Sequence, residues 1–391
     1  MSQTLEEIAS QPRLWRRALE VDASPLPRDG ESLAVVGCGT SWFIAQAYTT
    51  AREREGKGPG DAFTATEFPW DRHYDRVICL SRSGTTTEVV DVLRRLAERG
   101  TPGLLVTAVG GGPASPFASA EVVLGFADEE SVVQTRFATS ALAYFRASLG
   151  HDIAAAAADA EFALDAELPQ RWVDADQIAF LGTGWTIGLA NEAGLKLREA
   201  SQSWTEAYPA MEYRHGPISI AQPGRLTWVF GPVPEGLGEE VAATGAELVS
   251  SQWDPMAHLV LAQRLAVVTG LGLLDGLFGG HQGSVGIHHE AYRADAGAWC
   301  MLGQPGNAQP GQVDVALFGG EIAAQQCQQR ALAAAVGADE GYALTRVDDE
   351  RGVGKEGAPG AGQAEVVEAD QGRARSVSGR QKAGPGWPAS P

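Results

Sequence analysis

Short apolar runs alternate with amphipathic segments through the first 150 residues of the chain. After a leading helical pattern, ESLAVVGCGTSWFIAQAYTTAR predicts a buried strand, a tight glycine turn and a helix. The segment DRVICLSRSGTTTEVVDVLRRLAERG repeats this unit, and Gly100 follows the end of its helix. TPGLLVTAV and AEVVLGF supply two further strands, and SVVQTRFATSALAYFRASL becomes a long amphipathic helix. This alternation predicts a doubly wound α/β fold with a parallel sheet.

The same unit returns in the second half of the chain. Residues 151–170 predict an Ala-rich helical linker, and DADQIAFLGTGWTIGLANEAGLKLREAS again predicts a strand, a glycine turn and a helix. LTWVFGP and AELVSSQ predict later elements of that half. The repeat indicates two tandem α/β domains, at 1–150 and 151–270, with ligands expected where the carboxyl ends of the strands leave a crevice.

The pattern ends near Gly272, where Gly, Gln, Pro and Ala begin to accumulate. Neither helical nor strand periodicity persists beyond short pieces, so residues 271–391 are predicted to be a low-complexity, largely disordered tail. Because this tail shares no patterning with the first 270 residues, translation out of frame is one hypothesis for its origin.

The composition and net charge of the chain indicate its compartment and the kinds of partner it can bind. With 44% hydrophobic and 20% charged residues and no membrane-length apolar run or signal peptide, we expect a cytoplasmic protein with no membrane partner. A net charge of −19 disfavours nucleic acid. The cysteines show no paired spacing, so we expect reduced thiols, no bound metal and no disulfide framework. They are Cys38, Cys79, Cys300 and Cys327.

A hydroxyl-rich turn lies between the predicted strand VICL and the helix EVVDVLRRL. Residues 81–87 carry five hydroxyl side chains. The start of a helix offers free backbone N–H groups and the positive end of the helix dipole, so this turn suits a phosphate monoester. A single Ser or Thr would more simply cap the helix. Because five hydroxyls exceed what a cap needs, we favour phosphate binding.

The turn after the first predicted strand, at 37–41, resembles the turn at 81–87, but it is weaker evidence for a ligand site. Its glycines permit close backbone approach, and Thr40 and Ser41 stand at the next helix start. It is shorter than a dinucleotide fingerprint and lacks the lysine of a P-loop, so it predicts no nucleotide cofactor. Cys38 can contact a ligand, although a small buried side chain is the commoner role for such a cysteine.

Charged residues interrupt an apolar helical pattern at 192–199. Glu192, Lys196 and Glu199 fall at i, i+4 and i+7 and therefore share one helical face, where they can form an ordinary salt-bridge ladder. Glu199 together with His215 would also suit proton abstraction and ring-oxygen protonation in sugar isomerisation. Both interpretations remain open from the residues alone.

Five motifs together resemble the SIS, or sugar isomerase, family, in particular the isomerase half of glucosamine-6-phosphate synthase and its stand-alone deaminase relatives. The resemblance covers roughly residues 5–260. The motifs are EIASQP near the start, CGTS at 38–41, SRSGTT at 81–86, SVVQTRFATS at 131–140 and EAGLKLREASQSWTEAYPAMEYRHGP at 192–217. The last is the most specific, because Glu-Ala-Tyr and His-Gly-Pro stand in the family's order and spacing.

The resemblance implies roles for individual residues. Glu199 would be the base that moves a proton between C1 and C2, His215 would open the sugar ring, and Lys196 would belong to the same catalytic group. In the family that histidine can come from the neighbouring subunit, so a homodimer is expected. The residues expected to bind the phosphosugar are Cys38, Gly39, Thr40, Ser41, Ser81, Arg82, Ser83, Thr86, Val132 and Gln134.

Departures from the family pattern limit what the resemblance implies. Arg82 stands where the synthase carries Gln, and Val-Val-Gln-Thr replaces Val-Ala-Ser-Thr. No glutaminase domain precedes residue 1, so we expect neither glutaminase activity nor full synthase activity. The synthase also uses a lysine near its carboxyl terminus to open and hold the ketose, and the tail here carries no equivalent, so catalysis is expected either to be lost or to proceed without that lysine. The favoured function is an isomerase or deaminase of an amino-sugar phosphate. The alternatives are a non-catalytic phosphosugar sensor and a simple aldose–ketose isomerase.

Overall fold

Five parallel strands form the sheet of the first half of the chain. The computed structural model describes the backbone of residues 2–278 and the side chains of residues 2–271. The strand order is β2-β1-β3-β4-β5, and every neighbouring pair is parallel. The strands are β1 (Leu33–Gly37), β2 (Gly60–Thr64), β3 (Arg76–Leu80), β4 (Gly103–Thr107) and β5 (Ala120–Val123).

A second parallel sheet follows, in the order β7-β6-β8-β9. Its strands are β6 (Gln177–Gly182), β7 (Thr205–Pro209), β8 (Arg225–Phe230) and β9 (Glu247–Val249). The predicted α/β fold with two doubly wound parallel sheets is therefore confirmed. The sequence pattern missed β2 and β7, because both are edge strands that are only partly buried and mix polar with apolar residues.

Helices cover the faces of both sheets. Those before residue 170 are α1 (Gln3–Ala18), α2 (Thr40–Arg54), α3 (Thr87–Glu98), α4 (Arg136–Ser148) and α5 (Ile153–Asp165). Those after it are α6 (Gln170–Val173), α7 (Thr186–Ser201), α8 (Leu237–Thr244) and α9 (Pro255–Phe278). None of the helices that the structure describes is both long enough and apolar enough to cross a membrane.

The two sheets share one hydrophobic core. Leu33 and Val35 of β1 belong to the same buried cluster as Ile178 and Phe180 of β6. The helical segment predicted as a linker, now α5, contributes buried alanines to this cluster and packs against α1 and α9. The domain limits at 150 and 270 stay a prediction, and the tail predicted at 271–391 lies outside the described residues apart from the end of α9 at Phe278.

Helix α1 contains a proline that its neighbours accommodate. Pro12 has no N–H group, so it cannot donate to the carbonyl of Ile8 one turn earlier. The side chain of Gln11 fills this place, because its Nε2 donates to Ile8 O at 3.1 Å and to Gln263 Oε1 at 2.7 Å. The motif EIASQP thus keeps a continuous helix and ties α1 to α9.

Candidate phosphosugar site

The order of the first sheet places both predicted ligand turns at one crevice. Strand β1 lies between β2 and β3, so the connections from β1 and β3 leave the sheet in opposite directions. In sheets of this order, ligands bind outside the carboxyl ends of the strands at this switch point. The turn at 38–41 follows β1 and the turn at 81–86 follows β3. The sequence motifs therefore lie where the topology alone would put a ligand.

The first turn is tight and mostly buried. A side chain at Gly37 would meet Ser41 Cβ at 2.6 Å, and Gly39 has a φ of +53°, so both positions favour glycine. Thr40 and Ser41 are buried, while Cys38 is half-buried. Burial raises the pKa of the Cys38 thiol, which keeps it protonated.

In the second turn, at 81–86, hydroxyl side chains bond to one another, and the N-cap residue of α3 makes no side-chain capping bond. Ser81 Oγ lies 3.0 Å from Thr86 Oγ1, and Ser83 Oγ accepts from Thr85 N at 3.2 Å. Thr86 stands at the N-cap of α3, yet its side chain makes no capping hydrogen bond. The capping alternative therefore does not account for these residues. The hydroxyls of the turn bond to one another, at the positive end of α3.

Arg82 connects this turn to the segment that carries Val132 and Gln134. Its Nη1 donates to Glu129 O at 2.9 Å and lies 3.3 Å from Asp128 Oδ1. Its Nε is buried and has no partner among the described residues. Val132 is 64% exposed and Gln134 is half-buried, so both side chains are at least partly accessible from solvent.

Glu129, which the sequence analysis missed, organises the same segment. Its Oε2 accepts from the backbone N of Thr135 at 2.8 Å and of Arg136 at 3.0 Å and thereby caps α4. Burial raises the pKa of Glu129 to about 7, although these two hydrogen bonds oppose the shift. An acidic residue shortly before a predicted helix start was the one signal in the sequence, and such residues are common on surfaces.

Lys196 lies at the centre of the predicted charge ladder on α7. Its Nζ is 2.6 Å from Glu199 Oε2 and 3.6 Å from Glu192 Oε1. Lys196 and Glu192 are fully buried, whereas 37% of the Glu199 side chain is exposed. Glu192 also accepts from Thr40 Oγ1 at 3.4 Å, which joins α7 to the turn after β1. The ladder is present, and two of its members, Glu192 and Lys196, are buried rather than solvated.

The protonation states in this cluster follow from burial and from mutual charge. Burial alone would lower the pKa of Lys196, but the carboxylates of Glu192 and Glu199 outweigh it and raise that pKa. Burial raises the pKa of Glu192 to about 7 against the attraction of Lys196. Lys196 therefore stays an ammonium at neutral pH, and its Nζ donates to Glu199 Oε2 at 2.6 Å.

His215 lies on a different element from this cluster. It ends a short 3-10 helix, Glu212–His215, that follows β7, and it is exposed. No hydrogen bond or ion pair among the described residues joins it to Glu199. Its assigned role with Glu199 stays a prediction. Residues 2–271 also contain no group of three or more His, Cys, Asp or Glu side chains arranged to hold a metal ion.

The chain is similar in sequence to curated proteins. No family model matches the chain. A glutamine–fructose-6-phosphate aminotransferase (isomerizing) from Pyrobaculum aerophilum is 27% identical over 238 residues, which are 55% of this chain and 39% of that protein. The chain thus spans about two fifths of the length of this curated relative.

Solved structures share the fold. A glucosamine-6-phosphate deaminase from Thermotoga maritima aligns with a TM-score of 0.59 at 22% identity, over 70% of this chain and 95% of that one. A tagatose-6-phosphate ketose/aldose isomerase from Escherichia coli aligns at 0.58 and 21% identity, over 70% and 94%. The motifs, the sheet order and these comparisons together confirm that the chain resembles the SIS, or sugar isomerase, proteins.

Proposed function

We propose that the chain is an enzyme that binds a phosphosugar and acts as an isomerase or deaminase on an amino-sugar phosphate such as glucosamine 6-phosphate. The observation that carries the proposal is the Lys196–Glu199 pair at 2.6 Å on a helix whose Glu192 contacts Thr40. A carboxylate held by a buried ammonium thus lies on the helix that contacts the turn at 37–41, the first of the two candidate ligand turns. The similarity to an isomerizing aminotransferase supports the same substrate class.

The phosphate would bind at the turn after β3. Ser81, Ser83 and Thr86 supply hydroxyl donors, and the start of α3 adds backbone donors and its dipole. Each charge-assisted hydrogen bond of this kind contributes roughly 1.5–3 kcal/mol. The sugar would then extend toward Thr40 and Ser41 on one side and toward Val132 and Gln134 on the other.

The reaction needs a base that removes a proton from the carbon beside a carbonyl or imine. Glu199 is the carboxylate of the cluster that remains open to solvent, and Lys196 orients it. It would take the proton from C2 of the open-chain aldose and return it to C1, which gives the ketose form. For glucosamine 6-phosphate the product is an imine, and addition of water then releases ammonia and fructose 6-phosphate. This step needs no glutamine.

Ring opening would use His215 of a second subunit. His215 is exposed, so its side chain is accessible to a second subunit. We therefore propose a cytoplasmic homodimer whose sites lie at the subunit interface.

Turnover assays test the proposal directly. We expect ammonia and fructose 6-phosphate to form from glucosamine 6-phosphate, and Glu199→Gln to reduce the rate by about 10²–10⁴-fold with substrate affinity nearly unchanged. Glu53→Gln, which removes an exposed carboxylate on α2, is the matched control and should turn over normally.

Other outcomes identify the alternatives. Binding of the phosphosugar without turnover of any aldose or ketose phosphate would instead establish a sensor. Turnover of unaminated sugar phosphates alone would establish a simple aldose–ketose isomerase. An unchanged rate in Glu199→Gln would remove Glu199 from the mechanism.

A further inference from the structure

The motif EIASQP on α1 has no part in the proposed chemistry, yet two of its polar side chains are completely buried. Glu7 and Gln11 lie one helical turn apart, and neither is exposed to solvent. A buried carboxylate is costly unless hydrogen-bond donors surround it. The donors to Glu7 come from the segment that carries the candidate sugar contacts.

Glu7 holds this segment by its backbone. Its Oε1 accepts from the N–H of Glu130 at 2.8 Å and from the N–H of Ser131 at 3.3 Å, residues that are more than 120 positions away in the chain. Gln3 Nε2 donates to the same oxygen at 3.3 Å, and Arg136 Nη2 lies 3.9 Å from it. The start of α1 is thereby attached to the residues immediately before Val132.

Backbone hydrogen bonds do little to hold residues 131–134 in place. Residues 131–134 make no backbone-to-backbone hydrogen bond within the part of the chain that the structure describes. Their far end is fixed by Glu129, which accepts from Thr135 N and Arg136 N. Near its start, Thr4 Oγ1 adds a contact to Ser131 Oγ at 3.0 Å. Two buried carboxylates, one at each end, therefore set the position of Val132 and Gln134.

We propose that Glu7 is a positioning residue for sugar recognition: it holds residues 131–134 in the geometry that the sugar contacts. The inference rests on the proposed function, which assigns Val132 and Gln134 to the sugar. It concerns the sugar more directly than the phosphate, because Glu7 contacts residues 130 and 131, whereas the turn at 81–86 meets this region through Arg82, at residues 128 and 129.

Three variants separate positioning from general folding. Glu7→Ala removes the acceptor. Glu7→Gln keeps an amide oxygen that can accept from both N–H groups. Gln11→Ala is the matched control, because Gln11 is equally buried on the same helix but bonds to Gln263 and Thr139 at 2.7 Å and not to the segment.

Two measurements give the readouts. The first is hydrogen exchange of the amides in residues 129–135 of the free protein. The second is calorimetric binding of fructose 6-phosphate and of inorganic phosphate. Fixing one backbone residue costs about as much free energy as a tenfold change in affinity, so Glu7→Ala should weaken fructose 6-phosphate binding by about tenfold or more.

The three variants should differ in amide exchange and in ligand affinity. Glu7→Ala speeds exchange in 129–135 and weakens the phosphosugar, but it leaves inorganic phosphate binding unchanged. Glu7→Gln restores both properties, and Gln11→Ala alters neither even where it lowers the melting temperature. Slow exchange in Glu7→Ala, or equal weakening of phosphosugar and phosphate, would overturn the role of Glu7. Wild-type protein that binds no phosphosugar would instead overturn the proposed function.

Discussion

Glu192 should make the folded protein less stable as the pH rises toward neutrality. This carboxyl group is fully buried, and its Oε2 has no hydrogen-bond partner among the described residues. Its other oxygen lies 3.4 Å from Thr40 Oγ1 and 3.6 Å from Lys196 Nζ. Burial raises its pKa from 4.5 to about 7. Glu192→Gln removes the titration while keeping an oxygen that can accept from Thr40.

The sign and size follow from proton linkage. Between pH 4.5 and about 7 the folded protein keeps a proton on Glu192 that the unfolded chain has lost, so the free energy of unfolding falls as pH rises. One pKa unit corresponds to about 1.4 kcal/mol, which makes the total loss about 3 kcal/mol. Glu129 titrates in the same range but is present in both proteins, so its contribution largely cancels in the difference.

Urea unfolding measures the difference in the free energy of unfolding between the wild type and Glu192→Gln. The measurement is repeated at intervals from about pH 5 to pH 8.5. The wild type should lose about 2–3 kcal/mol relative to the variant as the pH rises from 5 to 7, and the two curves should run parallel above that. Glu247→Gln is the control, because the hydrogen bond from Arg171 lowers the pKa of Glu247 and its contribution is lost only in more acidic solution. Parallel wild-type and Glu192→Gln curves throughout would refute the reasoning.

Two further predictions concern the ligand and the assembly. Ser83→Ala should weaken phosphosugar binding by about tenfold or more, the worth of one charge-assisted hydrogen bond, and leave the affinity of the unphosphorylated sugar unchanged, as measured by calorimetry. Equal weakening of both sugars would contradict a phosphate role. Mixing inactive Glu199→Gln and His215→Ala chains should restore about a quarter of the wild-type rate if each site uses both subunits. No recovery after confirmed subunit exchange would place both groups in one chain.

The sequence predicted the elements whose pattern is determined locally. Strands β1, β4 and β6 are wholly buried and mostly apolar. The glycines at 37 and 39 indicate a tight turn in which a larger residue would clash or be strained. The edge strands β2 and β7 lack such a signal, because both are partly exposed and mix polar with apolar residues. The edge strands β5 and β9 are also partly exposed, but their apolar residues are adjacent and predicted a strand.

Contacts between distant segments could not be predicted in the same way. The spacing of Glu192, Lys196 and Glu199 predicted a shared helical face, but nothing in that spacing shows that Thr40 would meet Glu192 across 152 residues. Glu7 and Glu129 were missed for the same reason, since a buried acid is recognisable only when its donors are known. Burial, and not residue type, distinguishes these three carboxylates from the many that lie on the surface.

The two halves repeat one architecture, but the residues at their switch points differ. In the second sheet β6 lies between β7 and β8, so a second switch point exists there. The hydroxyl of Thr186 is already engaged, since it donates to Phe230 O at 2.9 Å and accepts from Thr183 N at 2.8 Å. Trp185 stacks under the guanidinium of Arg146. The helix after this turn, α7, instead carries Glu192 to Thr40 of the first half. The contact between Glu192 and Thr40 therefore joins the charged helix of the second half to the turn after β1 in the first half, and the proposed phosphate binding and proton transfer rest on this arrangement.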